Sequence, residues 1–128
     1  MSFESGIDFH DEDDEIKDYI NNQKAKSKRN KDKTDLNTFN KFRNANGYRS
    51  VVIEKLSEKE LNNILYQFFM KVLTRKGKLY EPDTLTGIRN SLQRVLNERG
   101  SKHDLRGGLG FVKSRDVLAA RRKELTKN

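Results

Sequence analysis

Residues 57–100 read SEKELNNILYQFFMKVLTRKGKLYEPDTLTGIRNSLQRVLNERG, and this stretch decides the fold. Leu61, Ile64, Leu65, Phe68, Phe69, Val72 and Leu73 recur at i, i+3, i+4 and i+7, the spacing that gathers apolar side chains on one face of a helix. Ser57 and Glu60 form the S-x-x-E pattern of a capping box, in which each side chain accepts from the other residue's backbone N–H. Arg75 and Lys76 suit the negative end of the helix dipole, and Gly77 can stop the helix. A second helix is expected from about Pro82-Asp83-Thr84, because the first turn leaves unused the amide hydrogen that proline lacks. Its apolar stripe is Leu85, Ile88, Leu92, Val95 and Leu96, which share one face at about 3.6 residues per turn. Gly100 ends it. The stretch is a helical hairpin.

Moving outward toward the N-terminus, Val51-Val52-Ile53 is β-branched but too short and isolated for a sheet. With Leu56 it is expected to form an ordered connection under the hairpin. Before it, Thr34 or Asp35 can cap a short helix running to about Ala45, with Asn46-Gly47 as its stop. Leu36, Phe39 and Phe42 give that helix a narrow apolar face, with Lys41 and Arg43 off it. On the other side of the hairpin, Gly107, Gly108 and Gly110 lack the Lys-Ser/Thr of a P-loop, a preceding strand and the dinucleotide spacing, so this loop is expected to be a flexible connection. A last helix is expected from about Val112 to Leu125. Phe111, Leu118 and Leu125 fall seven apart on one face, with Val117 beside them. Arg115, Arg121, Arg122 and Lys123 make it strongly basic.

Apolar residues are sparse before Leu36. With 33 % hydrophobic and 36 % charged residues in 128, the composition favours a helical core domain at 34–128 and a disordered arm at 1–33. The arm is segregated by charge. Residues 1–20 hold eight Asp or Glu against Lys17, with Phe3, Ile7, Phe9, Ile16, Tyr19 and Ile20 interleaved. Residues 21–33 carry Lys24, Lys26, Lys28, Arg29, Lys31 and Lys33 against Asp32. The acidic part reads as a solvated tail, as a segment that docks on a protein partner, or as one that folds onto the chain's own basic face and competes with nucleic acid. The basic part reads as a charged linker that also serves as a nuclear localisation signal or a phosphate-binding arm.

The net charge of +8 favours a nucleic acid or another anionic partner. The absence of cysteine excludes a disulfide framework and thiolate metal sites. His10 and His103 are too far apart in sequence to make a metal site by themselves. No apolar run approaches the roughly 20 residues of a membrane span, and no signal-peptide core is present; a soluble, intracellular protein is expected. No nucleophile and base pair, metal cluster or nucleotide loop is visible, so neither enzymatic activity nor a cofactor is expected of this chain alone. The chemistry on offer is electrostatic. Thr84, Thr86, Asn90, Gln93 and Arg94 lie off the apolar stripe of the second hairpin helix, with Arg89 on its flank. Arg, Asn and Gln are the side chains whose forks match base edges in a major groove. These residues, with Arg121, Arg122 and Lys123 of the last helix, are the candidate DNA-binding set; a routine polar face of a bundle is the alternative.

Leu79-Tyr80-Glu81-Pro82-Asp83-Thr84-Leu85, then Ile88-Arg89 and Leu92-Gln93-Arg94-Val95-Leu96, resemble the N-terminal core-binding domain of crypton-type tyrosine recombinases. So do the preceding Leu56-Ser57-Glu58-Lys59-Glu60-Leu61 with Phe68-Phe69, and the closing Ser114-Arg115-Asp116-Val117-Leu118 with Arg122-Lys123-Glu124-Leu125. The similarity spans roughly residues 35–127. More distantly, Thr84-Leu85-Thr86-Gly87-Ile88-Arg89 is similar to a pattern in phage-integrase core-binding domains. The Gly-rich loop before Phe111 and the extra helix near Asp35 depart from the standard integrase arrangement. The resemblance implies a small SAM-like helical domain that clamps one side of DNA. It also implies a separate catalytic half, with a tyrosine nucleophile and an Arg-His-Arg set, that would begin where this chain stops at Asn128. Domesticated relatives, such as the zinc-finger MYM-type proteins, look like recombinases without cutting activity.

The expectation is therefore an all-α, SAM-like bundle of about four helices with a disordered arm, acting as a nuclear DNA-binding domain for double-stranded DNA and related to DNA integration and recombination. The runner-up is a nuclear protein-interaction module using the acidic arm or a helical face. A recombinase fragment that matters only when joined to its catalytic half is the third reading. The oligomeric state stays open.

Overall fold

The computed structural model describes residues 5–126, with side chains from residue 13. Phe3 and the side chains of Ile7 and Phe9 lie outside the described residues. Among the described residues every regular element is helical. They are α1 (Ser5–Ala45), a 3-10 turn (Ile53–Lys55), α2 (Glu58–Lys71), α3 (Pro82–Glu98), a second 3-10 turn (Leu109–Phe111) and α4 (Val112–Thr126). The expected small all-α bundle with four helices is what the chain forms. It divides into two compact units between Lys31 and Asp32, within α1.

α1 is where sequence and structure part. The short helix expected from Thr34 or Asp35 is the last quarter of a helix that includes residues 13–33, which were expected to be an unstructured arm. The physical reason is an uninterrupted backbone: no glycine or proline occurs between Gly6 and Gly47, and Lys, Glu, Gln and Ala are good helix formers. Arg43 in the last turn also suits the dipole. Thr34 and Asp35 are thus interior positions rather than caps. Asp35 is buried and accepts from Ser91 Oγ at 2.6 Å.

In the second unit the end of α1 packs through aromatic rings. Phe68 of α2 stands edge-on to Phe39 and Phe42, each 5.3 Å away between centroids, and to Phe69 at 5.7 Å. Phe39, Phe68 and Phe69 are fully buried. Arg43, expected off the apolar face, is buried instead. Its guanidinium donates to the Val51 carbonyl at 2.8 Å and to Asn40 Oδ1 at 2.7 Å, which pins the connection before α2. Burial lowers its pKa. Ile53 and Leu56 of that connection are buried under the hairpin, as expected, while Val52 faces solvent.

α2 begins as read. Glu60 N donates to Ser57 Oγ, and Ser57 N donates to Glu60 Oε1, both at 3.1 Å. It ends earlier than read. Val72 is already extended, and Leu73 is exposed. The amides of Thr74 and Gly77 bond within a turn, to the carbonyls of Lys78 and Thr74, and Thr74 Oγ1 takes the Lys78 amide. Local side-chain bonds of this kind compete with helix continuation. α3 starts with Pro82 in its first turn and buries Leu85, Ile88, Leu92, Val95 and Leu96, the whole expected stripe, together with Ser91. It closes with paired bonds from Ser101 N to Leu96 O and from Gly100 N to Asn97 O. Gly100 at φ 73° supplies the left-handed residue this Schellman closure needs.

α4 packs on both α2 and α3 and buries Leu118 between them, with Phe111 just before its start. Its first turn is capped from another helix: Ser114 N donates to Asn62 Oδ1 of α2. The loop before it is not the flexible connection expected. The Asp104 carboxylate accepts from the amides of Arg106 and Gly107, and its carbonyl from Gly108 N. Leu105 is buried. A side chain at Gly108 would meet the Asp104 carbonyl oxygen at 2.6 Å, so glycine there permits a close backbone approach.

Candidate nucleic-acid interface

The outer side of α3 divides into positions that brace the fold and positions that do not. Gln93 and Arg94 brace it. Gln93 Oε1 accepts from Leu105 N at 2.6 Å, and its Nε2 donates to the carbonyl of His103 at 2.9 Å and to Asn97 Oδ1 at 3.0 Å. It is a staple for the loop after α3. Arg94 makes a forked pair with Asp32 of α1, Nε and Nη2 reaching Oδ1 at 3.0 and 2.8 Å, and Nη2 also donates to Ser91 Oγ. The Asp32 carboxylate raises the Arg94 pKa, against a smaller effect of desolvation. Gln93 and Arg94, two of the α3 side chains expected to face DNA, are thereby committed to the protein itself, while Asn90 is not bound to another element among the described residues.

Arg89 is different. It is half-buried, and among the described residues its side chain hydrogen-bonds only the side-chain oxygen of the adjacent Asn90, at 3.1 and 3.3 Å. Burial lowers its pKa, and the positive charges of Arg106, Arg115 and Arg122 push the same way. Four guanidinium groups from α3, the loop and α4 therefore share one field. Arg115 and Arg122 lie seven apart on α4, so both face this side. Arg115 donates to the carbonyls of Gly108 and Leu105, at 2.8 and 3.4 Å. Arg122 donates to the Pro82 carbonyl at 3.0 Å and to Thr86 Oγ1, and reaches Asp83 Oδ1 at 3.1 Å. Carbonyl and hydroxyl acceptors fix a guanidinium without cancelling its charge. Among the described residues, Arg89, Arg106 and Arg115 have no ion pair, and only Arg122 has a carboxylate partner, one whose side chain is 95 % exposed.

Of the expected site residues, the structure brings together Thr86, Arg89, Asn90 and Arg122. Thr84 and Lys123 are exposed nearby in sequence. Arg121 turns away: it borders Met70 of α2 and pairs with Glu124 at 2.6 Å. Lys24, Lys26, Lys28, Arg29 and Lys31 are exposed on the α1 segment of the first unit, and Lys33 is exposed in the second. Arg106 and Arg115 were absent from the expected set. The spacing of Arg115 and Arg122 was the available signal. Arg106 left none, because only the folded Asp104 turn brings its charge to bear on Arg89.

Among the described residues no group of three or more His, Cys, Asp or Glu could hold a metal ion. His103 is a structural residue, with Nε2 against the Leu56 carbonyl at 2.8 Å and its ring edge-on to Phe111. No described helix is long and apolar enough to cross a membrane. No family model matches the chain, nor does any curated protein or solved structure.

Proposed function

We propose that the chain is a DNA-binding domain that holds the phosphate backbone of duplex DNA against the arginines of α3, the loop at 104–108 and α4. The observation that carries this reading is the half-buried Arg89 in the field of Arg106, Arg115 and Arg122. Like charges gathered this way repel one another, and a bound polyanion relieves the repulsion while releasing counterions. Arginine forks match phosphate oxygens in pairs. Asn90 and Thr86, beside the cluster, supply the hydrogen-bonding groups that commonly accompany phosphate contacts. With Gln93 and Arg94 committed to the fold, the reading favours backbone binding over base recognition by α3.

The resemblance to crypton-type recombinase core-binding domains supports the same reading, including a nuclear, non-catalytic role in which any cutting would belong to a separate domain. A second reading, a protein-interaction module, is favoured by one specific observation: Ile16, Tyr19 and Ile20 are exposed within the acidic part of α1.

The test is titration of labelled duplex DNA at several salt concentrations with Arg89→Ala and Arg106→Ala, each checked for an unchanged thermal midpoint. Each is expected to weaken all sequences alike and to lower the salt slope by about one. Wild-type affinity and slope in both variants would sink the proposal, as would the absence of DNA binding by the intact chain at low salt.

A further inference from the structure

The α1 segment of the first unit combines two features that a merely solvated helix does not need. Ile16, Tyr19 and Ile20 are 56 %, 66 % and 45 % exposed. Their i, i+3, i+4 spacing places them on one face, which continues as a shallow groove along Tyr19, Ile20, Gln23, Lys24, Ser27 and Lys28. The charge is also sorted along the helix. Within residues 13–31, residues 13–18 hold four acids and Lys17, while residues 24–31 hold five bases and no acid. The two blocks carry net charges of −3 and +5.

We propose that residues 13–31 of α1 pair antiparallel with the same residues of a second copy of this chain. Blocks of opposite charge at the two ends of one segment are complementary to the same segment reversed. A two-fold axis at Asn22 sets Glu15 opposite Arg29 and Asp18 opposite Lys26, and each such contact occurs twice, as an isologous interface requires. It also sets Ile16 and Ile20 opposite Lys28 and Lys24, whose methylene stems can cover apolar surface while their ammonium groups stay in water. Parallel pairing would stack acid on acid and base on base. The occupant is thus a second copy, on grounds of charge complementarity, and the pairing is independent of the DNA reading.

Sedimentation analysis of the full chain tests this. The wild type is expected to form dimers in a concentration-dependent way, weakened by salt as screened charge contacts are. Glu15→Lys with Asp18→Lys, and separately Lys26→Glu with Arg29→Glu, should each lose at least about tenfold in self-affinity, since four charge contacts per dimer turn repulsive. Glu, Lys and Arg have similar helix propensities while Asp is poorer, so circular dichroism should show no loss of helix. An equimolar mixture of the two variants restores every opposite-charge contact and should recover wild-type affinity. A wild type that stays monomeric at about 1 mM, an affinity weaker than any useful pairing, overturns the proposal. So does a Glu15→Lys, Asp18→Lys variant that associates as well as or better than the wild type, which points to parallel or purely apolar contact. A mixture that fails to recover also overturns it.

Discussion

Residues 13–31 and residues 32–126 are both largely helical, for opposite reasons. The first segment buries no side chain. Its helix rests on residue propensity and on the absence of breakers. The second unit contains helices whose apolar stripes are almost wholly consumed in one core, and whose ends are closed by the Ser57–Glu60 box, the Asn62 cap and the Gly100 closure. The difference teaches what each signal in a sequence is worth. Periodicity announces a helix that tertiary packing will hold. A polar segment without breakers can be helical with no periodicity to announce it.

The sharpest way to break this contrast is a truncation in each region. Leu92→Ala, at a fully buried position, should cost about 2–5 kcal/mol in denaturant unfolding. Ile20→Ala in the first segment should move the midpoint of the second unit by less than about 0.5 kcal/mol. Comparable losses at both positions would mean that the first segment is part of the cooperative core.

The next effect concerns two arginines five residues apart on one helix. Arg94→Ala leaves the buried Asp32 without its forked partner. The pair is partly exposed on the arginine side, so the loss should be about 1–2 kcal/mol rather than the larger cost of a fully buried pair. DNA affinity of the folded variant should stay at the wild-type value. Arg89→Ala should do the reverse, leaving stability within about 0.5 kcal/mol while weakening DNA binding. Exchange of these two outcomes would mean that α3 reads DNA through its Arg94 side.

How far the sequence was legible follows from the same contrast. The stripes of α2 and α3 and the face around Phe39 were readable because periodicity encodes burial directly. Val72–Gly77 misled because the run of apolar and basic residues continued past the point where Thr74 bonds its own turn. Arg43 and Arg94 misled because a charged residue off an apolar stripe looks solvated until its partners, the Val51 carbonyl and Asp32, are placed by the fold. The arginine cluster was half legible for the same reason. Arg89 and Arg122 were nameable from their helices, and Arg106 came into place only through the 104–108 turn. The length of α1 was hidden because a sparse apolar content suggests disorder, while helix propensity without breakers leaves no apolar stripe to read.

A smaller effect lies at the start of α2, where the second unit adds a local device to its packing. Ser57→Ala removes the oxygen that takes the Glu60 amide and should cost about 1 kcal/mol. An unchanged midpoint would mean that packing alone fixes where this helix begins.

The smallest effect is the acid response of that same box. Glu60 accepts from Arg49 Nη2 at 3.0 Å and Nε at 3.1 Å, and from Ser57 N. The bond from Arg49 and the backbone bond from Ser57 lower its pKa below the ordinary 4.5 against desolvation, and the Ser57 side chain and the Arg49 charge add smaller amounts in the same direction. A carboxyl held lower in the folded state than in the unfolded chain binds fewer protons when folded. Its contribution is therefore fully present above the unfolded value and is lost as pH falls through the depressed folded one. Glu60 is solvent-exposed, so solvent screening keeps the effect small. Glu60→Gln keeps the shape and the acceptor of the box but cannot take up a proton in this range. Thermal midpoints measured from pH 6 down to about pH 3 should fall less steeply in the Gln variant than in the wild type, the two curves converging at the acid end. Parallel curves would show that Glu60 contributes geometry alone to the start of α2. The second unit would then rest on its packing alone there, and the contrast with the unpacked segment of α1 would be sharper still.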